Sequence, residues 1–334
     1  MAQAAGCRRP ELSSRRGVPP RMLEIAPLST KDPRLFQIAS LTVLLAYGMT
    51  VLSFDVSPAR AAVLVATALG AQLACTRLFR LPAFDPWSAL ISALSLCLLL
   101  RTNSAGIAAA AAGIAITSKF FLRWNGKHLF NPTNIALASI LAVSGRAWVS
   151  SGQWGNAAFF AFFIACAGRF VVQRAARGDV TLAFLATFLL LVLGRSAALH
   201  EPLTIPLHRL ESGALLLFAF FMISDPKTTP DSRAGRLLFG ALVALGAAYV
   251  QFRLFRPNGA IWSLALGSLL VPLFDLLLPG PQSSERVVRF RMKGDFHAPL
   301  LALRPRFVSL RSGSLPARSR FLRLLRGEGR REAL

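Results

Sequence analysis

The sequence predicts an all-α, polytopic integral membrane protein, and three observations carry that reading. Hydrophobic residues make up 54% of the 334 positions, charged residues only 16%, and the mean hydropathy is +0.52. The apolar residues gather in runs long enough to cross a hydrocarbon core of about 30 Å. Polar, proline-broken stretches separate the runs, as in Phe221-Met222-Ile223-Ser224-Asp225-Pro226-Lys227-Thr228-Thr229-Pro230. A soluble domain of this length needs more polar surface. Apolar segments joined by such backbone point to a site inside or at the edge of a membrane core.

The pattern predicts about ten spans. The first five cover 36–54, 61–79, 87–100, 105–121 and 130–143. The second five cover 154–172, 180–193, 212–223, 237–252 and 259–278. The third, fifth, seventh and eighth fall short of the roughly 20 residues of a full crossing. Short apolar segments next to Pro or Gly mark broken or re-entrant helices. The chain therefore divides into a basic arm (1–35), a membrane domain (36–279, with halves 36–144 and 154–278) and a basic, disordered tail (280–334).

The net charge of +23 resembles a nucleic-acid signature, but its distribution excludes that partner. Much of the excess lies in the arm (Arg8, Arg9, Arg15, Arg16, Arg21, Lys31, Arg34) and after Arg286. Basic segments flanking spans follow the positive-inside rule. Each such residue near anionic lipid is worth about 1 kcal/mol. The piece Arg318 to Arg326 mixes Phe321, Leu322, Leu324 and Leu325 with arginines, so a membrane-surface helix stands beside the disordered reading.

With the N-terminus inside, the inner connections hold Arg77, Arg80, Lys119, Arg123, Lys127, Arg169, Arg174, Arg177, Lys227, Arg233 and Arg236. The outer side holds scattered charges: Arg60, Arg101, Arg146, Arg195, Arg209, Arg253 and Arg256. This asymmetry predicts a multi-pass protein of the cell inner membrane with both termini cytoplasmic. The first apolar run starts after a long polar arm and runs too far for a signal-peptide h-region, so no cleavable leader is expected. Cys7, Cys75, Cys97 and Cys166 form no CxxC pair, and His128, His200, His208 and His297 are scattered. Neither a disulfide framework nor a metal site is predicted.

A repeat is hinted at. LRWNGKHLFNPTNIALASIL (122–141) and FRLFRPNGAIWSLALGSLL (252–270) share a basic, Phe-containing lead, then Asn with Pro or Gly, then a small-residue helix. Five spans per half makes the halves inverted, which places a site between them. Small residues recur in any membrane helix, so chance similarity is the competing account.

Two clusters carry candidate chemistry. In Gly126-Lys127-His128-Leu129-Phe130-Asn131-Pro132-Thr133-Asn134, Lys127 can meet a phosphate as a point charge. Asn131 and Asn134 can read a flavin or quinone edge. The alternative makes Lys127 and His128 interfacial cations and Asn131 an N-cap before Pro at N1. In the second cluster Asp225 can cap the following turn or pair with Lys227, while Thr228 and Thr229 satisfy backbone freed by two prolines. A purely structural turn and a ligand contact are both open there. Asp85, Asp179, His208, Arg209, Glu211 and Asp275 lie close to apolar segments. Ionisable groups at that depth cost several kcal/mol unless paired, which makes them candidates too. No Ser-His-Asp arrangement, HExxH, Walker A loop or dinucleotide fingerprint occurs in the needed context.

Several of these stretches resemble one family. SKFFLRWNGKHLFNP (118–132) and AFFMISDPKTTPDSRAGRLLFGAL (219–242) are similar to two signatures of the NqrB/RnfD membrane flavoproteins. That family contains the RnfD component of the Rnf electron-transport complex and the NqrB component of the sodium-pumping NADH:quinone reductase. RPNGAIWSLALGSLLVPLFD (256–275) resembles its last helix, and Asp85 with Ser88-Ala89-Leu90 its third. The likeness runs over roughly 36–278 in one order. It implies ten helices in two inverted halves, a flavin, electron transfer within a multisubunit complex, and coupling to sodium or proton movement. One departure matters. Family members carry FMN covalently on the last Thr of a Ser/Thr-Gly-Ala-Thr motif, and the corresponding loop here, 145–155, has no Thr. Ser212-Gly213-Ala214-Leu215 lies elsewhere and lacks the Thr. Covalent FMN is therefore not expected, and FMN or riboflavin would be held noncovalently by Lys127, His128, Asn131, Asn134, Asp225, Lys227 and Thr229. SGALLLFAFFMISDPKTTP (212–230) further resembles a shortened subgroup associated with enediyne biosynthesis. That likeness suggests an accessory role in making or exporting a reactive natural product, with a biosynthetic pathway as partner; the absent Thr and the Pro-broken short spans motivate the alternative of a channel or transporter without redox activity.

Overall fold

A computed structural model describes residues 24–27, 32–149, 178–210 and 212–280. The predicted sixth span, the tail beyond 280, Glu211, Cys7 and Cys166 lie outside the described residues.

The chain starts its helices in a repeated way. α1 (Pro33–Thr50), α2 (Pro58–Leu78), α3 (Pro86–Leu99) and α5 (Pro132–Val143) each open on a proline preceded by Asp32, Ser57, Asp85 or Asn131. Each of those four side chains accepts a hydrogen bond from a backbone N–H of the first turn. Proline at N1 loses no bond there and is already set at the helical φ. α4 (Ala105–Phe121) is capped by Ser104. In the second part, α6 (Gly178–Ala198) is followed by α7 (Thr204–Leu210), then α8 (Gly213–Leu217), which loosens into a π-helical turn at Phe218–Met222. α9 (Arg233–Phe252), α10 (Gly259–Ser268) and α11 (Val271–Leu277) complete the described residues.

Among the described residues three helices, α2, α6 and α9, are long and apolar enough to cross a membrane. Counting each bent pair as one span gives up to five: α7 with α8 and its π turn bend by 45°, α10 with α11 by 51°. α3 and α5, with 14 and 12 residues, rise only about 21 and 18 Å at 1.5 Å per residue. The segments read as the third and fifth spans are short helices, as expected. The seventh is not: α6 runs 21 residues because Arg195 stays in the helix, paired to Glu201 at 2.8 Å and lying 4.7 Å above the Phe252 ring.

Where the short helices stop, the backbone pairs with itself. β3 (Leu100–Thr102) follows α3, and β6 (Ala147–Val149) follows α5; the two form an antiparallel ladder. Arg101, read above as an outer surface charge, is buried at 1% exposure. Its guanidinium donates to the carbonyls of Cys97, Leu98 and Leu100 at 2.8–3.1 Å and lies 5.1 Å from the Phe54 ring centroid. A helix end inside apolar surroundings needs such a partner for its last carbonyls. The arm also contributes structure: β1 (Glu24–Ile25) pairs in parallel with β2 (Ala83–Phe84), and the Trp87 indole donates to the Ala26 carbonyl.

Packing follows one plan in both parts. α2 packs on α4 and α4 on α5; likewise α6 packs on α9 and α9 on α10. Gly240 lets α9 approach α6 closely, since a Cβ there would lie 2.6 Å from the Val180 carbonyl oxygen. The Ser263 hydroxyl ties α10 to the Val243 carbonyl of α9. α5 meets α10, and that contact joins the two parts.

Candidate functional site

The first cluster is built on a tight hairpin. β4 (Arg123–Trp124) and β5 (Lys127–His128) pair antiparallel across Asn125-Gly126. Both turn residues have positive φ (46° and 81°), the geometry of a two-residue type I′ turn. Alternation along β5 sends Lys127 and His128 to opposite faces. His128 lies across from Arg123, and Lys127 faces the second half of the chain.

Lys127 is neither an interfacial cation nor a free phosphate ligand. Its ammonium lies 2.7 Å from an Asp231 carboxylate oxygen and 2.6 Å from one of Asp275, and donates to the Thr229 carbonyl at 3.2 Å. The Lys127 side chain is 10% exposed, Asp231 8% and Asp275 22%. Asp275 accepts the Asp231 N–H as well, at 2.7 Å. Arg236 extends the network: it forks onto Asp179 and donates to the Asp231 carbonyl.

The two asparagines reach across from α5. Asn131 caps the helix through its oxygen, which accepts from Asn134 N, and its amide donates to the Met222 carbonyl at 3.2 Å. The π turn and the following Asp225-Pro226 leave that carbonyl without a helical partner. Asn134, fully buried, donates to the Ile261 carbonyl at 3.1 Å. Its oxygen has no hydrogen-bond partner. The Ile261 carbonyl fixes the amide orientation, because the flipped form would face oxygen with oxygen.

The second cluster is a turn closed largely by its own groups. Asp225 accepts Lys227 N through its carboxylate. Its carbonyl accepts Thr228 N and the hydroxyls of Thr228 and Thr229. Ser224 donates to the Phe220 carbonyl. Lys227 is exposed. His128 is half-buried, and burial together with Arg123, Lys227 and Lys119 pushes its imidazole down to about 3. It is therefore neutral at pH 7, and its Nδ1 has no partner.

The structure thus brings Lys127, Asn131, Asn134 and Thr229 onto one seam, with His128, Asp225 and Lys227 beside it. Asp85 instead caps α3 and pairs with Arg34 at 3.0 Å. Arg209 lies over Phe252, away from the seam, and His208 is exposed. Sequence reasoning missed Asp231, although the Pro230-Asp231 step mirrors Asp225-Pro226. It also counted Lys119 as a loop cation; Lys119 is buried and donates to the Ser88 carbonyl and hydroxyl. A lysine inside an apolar run was the available signal. Among the described residues no three His, Cys, Asp or Glu side chains gather as a metal site.

The amide donors of Asn131 and Asn134 and the charge of Lys127 are engaged internally; the Asn134 oxygen and His128 Nδ1 are free acceptors. Lys127, closed on two carboxylates, is not available to the phosphate of an FMN.

Comparison with known proteins agrees with the likeness seen in the sequence. The model of the NQR2, RnfD, RnfE family matches residues 142–280. The RnfD-type component of an ion-translocating oxidoreductase complex from Cronobacter sakazakii is 34% identical over 155 residues, 45% of this chain and 41% of the relative. Its counterpart from Escherichia coli K12 is 34% identical over 134 residues, 40% of this chain and 36% of the relative. The matches thus span about two fifths of the length of these relatives. The matched family stretch contains the Phe-Met-Ile-Ser-Asp-Pro turn, Asp231, Ile261 and Asp275, and over residues 142–280 the chain is similar to the NQR2, RnfD, RnfE family.

Proposed function

We propose that this chain is a membrane subunit of an Rnf- or Nqr-type electron-transport complex, or a diverged relative of one, holding a flavin or quinone noncovalently on the seam. One observation carries the reading. Residues 142–280 supply Met222, Thr229, Asp231, Ile261 and Asp275, the groups on which Lys127, Asn131 and Asn134 close. The stretch shared with components of ion-translocating complexes is thus the stretch that completes the candidate site.

The reading takes the membrane domain as ten spans in two inverted halves. Its support is threefold. α2 and α6 are 21 residues each. The packing order of α2, α4 and α5 repeats in α6, α9 and α10. Asn134, the third residue of α5, bonds the carbonyl of Ile261, the third residue of α10. A side chain meeting its own counterpart marks the axis between repeats, where inverted folds place their sites. The charge asymmetry puts the ends of the chain and the hairpin on the cytoplasmic side of the inner membrane. Partners are the lipid bilayer and the other members of the complex.

A bound flavin supplies one- and two-electron transfer; the chain's own residues hold and orient it. Riboflavin suits the seam better than FMN because Lys127 is already paired with two carboxylates. The test is the visible spectrum of the protein purified in mild detergent, before and after adding riboflavin or FMN. Flavin bands that follow the protein are expected. A colourless preparation that takes up neither overturns the flavin, and substrate flux in proteoliposomes without flavin-dependent reduction favours a channel or transporter.

A further inference from the structure

Four arginines of the outer side, scattered in sequence, gather around Phe252. α6 and α9 run side by side: Arg236 of α9 forks onto Asp179 at one end, and Arg195 of α6 lies 4.7 Å above the Phe252 ring at the other. With 21 and 20 residues, each rises about 30 Å, the depth of a hydrocarbon core, so both finish at one headgroup level. Arg209 reaches the same ring from α7, 5.2 Å from its centroid. Arg253 follows Phe252 directly, and the Arg256 N–H turns back onto the Val250 carbonyl. Of these four, only Arg195 has a carboxylate partner among the described residues, Glu201 at 2.8 Å. Counting Glu211, which follows Arg209 closely in sequence, still leaves more cations than carboxylates. Positive charge is normally depleted beyond the outer ends of spans, so a gathered excess calls for an anion. The patch is apolar as well: Leu254 and Phe255, between Arg253 and Arg256, are 51% and 83% exposed.

We infer that this patch binds an anionic phospholipid, with Arg209, Arg253 and Arg256 on the headgroup phosphate and Leu254 and Phe255 against the acyl chains. Depth and composition choose the occupant. A guanidinium matches two phosphate oxygens at once. A free phosphate would satisfy the arginines and leave Phe255 in water. A phospholipid takes both, because the guanidiniums reach its phosphate while Phe255 stays among its chains. Arg195 is held by Glu201 and Phe252, so it steadies the ring on which Arg209 rests and does not itself meet the lipid. The inference rests on α6 and α9 being spans, and not on a flavin or quinone at the seam.

The experiment titrates phosphatidylglycerol into the full chain in a nonionic detergent and counts bound lipid by native mass spectrometry, with phosphatidylcholine as the zwitterionic reference. The wild type should hold a phosphatidylglycerol that phosphatidylcholine does not displace. Each arginine near anionic lipid is worth about fivefold in affinity, so R209Q/R253Q/R256Q should bind that lipid about 100-fold more weakly. A control in the basic arm, R8Q/R9Q/R15Q, should keep it. Should the outer triple variant not fold, R253Q/R256Q, which leaves Arg209 on Phe252, should lose about 25-fold. Unchanged binding in the outer variant overturns the inference, and so does an equal loss in the arm control. Inorganic phosphate that competes as well as phosphatidylglycerol overturns it too, because the patch then reads a free anion. An outer variant that keeps its lipid but sheds the other members of its complex assigns the patch to an acidic protein surface, and the lipid site falls.

Discussion

Replacing Lys127 with Met removes one cation and strands two carboxylates. Asp231 and Asp275 approach its ammonium at 2.7 and 2.6 Å, with side-chain exposures of 8% and 22%. Breaking a buried ion pair by deleting one partner costs about 3–5 kcal/mol, because the remaining charge stays desolvated. Asp275 keeps the Asp231 N–H and is partly exposed, so the lower figure, about 3 kcal/mol, applies. Taking the membrane domain, 36–279, as the unit that unfolds, each kcal/mol moves Tm by roughly 2–4 °C, so a fall of about 6–12 °C is expected. Thermal unfolding in detergent, followed by the loss of the monodisperse chromatographic peak, reads it. Lys127→Met with Asp275→Asn should recover part of the loss, since one stranded charge is gone. A single variant within about 1 °C of wild type, well under the shift that 1 kcal/mol gives, would refute the buried-network argument. Equal Tm values for single and double variants would refute the charge assignment.

Arg101→Met leaves the carbonyls of Cys97, Leu98 and Leu100 without their buried donor; a loss of about 3 kcal/mol is expected, read by the same thermal assay. Gly240→Ala places a methyl against the Val180 carbonyl and the Ala183 side chain, and overpacking of about 1–3 kcal/mol follows; wild-type stability would mean α6 and α9 are not in contact there. His128 has a folded value depressed to about 3, so it stays neutral as the unfolded chain takes up a proton below about 6.5. Stability it contributes is present above pH 6.5 and is lost as pH falls towards 3, about 1.4 kcal/mol by pH 5.5. His128→Asn should flatten that limb in thermal scans between pH 7 and 5, and an unchanged limb counts against the burial of the ring.

Local chemistry made the helix starts legible. Asp32-Pro33, Ser57-Pro58, Asp85-Pro86 and Asn131-Pro132 each pair a cap with a proline at N1, and each opens a helix. The Asp225 turn was equally readable, since its carbonyl, carboxylate and two threonines lie within five residues. Long-range pairing was not. Lys127 and Asp275 stand 148 residues apart, and nothing local to Lys127 distinguishes a buried ion pair from an interfacial cation. Arg101 and Arg195 were misread for one reason. A cation beside an apolar run looks like its end, unless carbonyls, a carboxylate or a ring inside the fold take the charge.

The central claim is that the hairpin of the first half closes against the loop and last helix of the second. A cysteine pair at Lys127 and Asp275, with Cys7, Cys75, Cys97 and Cys166 replaced by Ser, tests it in native membranes using a short bifunctional methanethiosulfonate. The account predicts efficient intramolecular cross-linking, identified by mass spectrometry of the joined peptides. Cross-linking no better than that of a control pair at Lys127 and Arg209, which lies over Phe252, would contradict it.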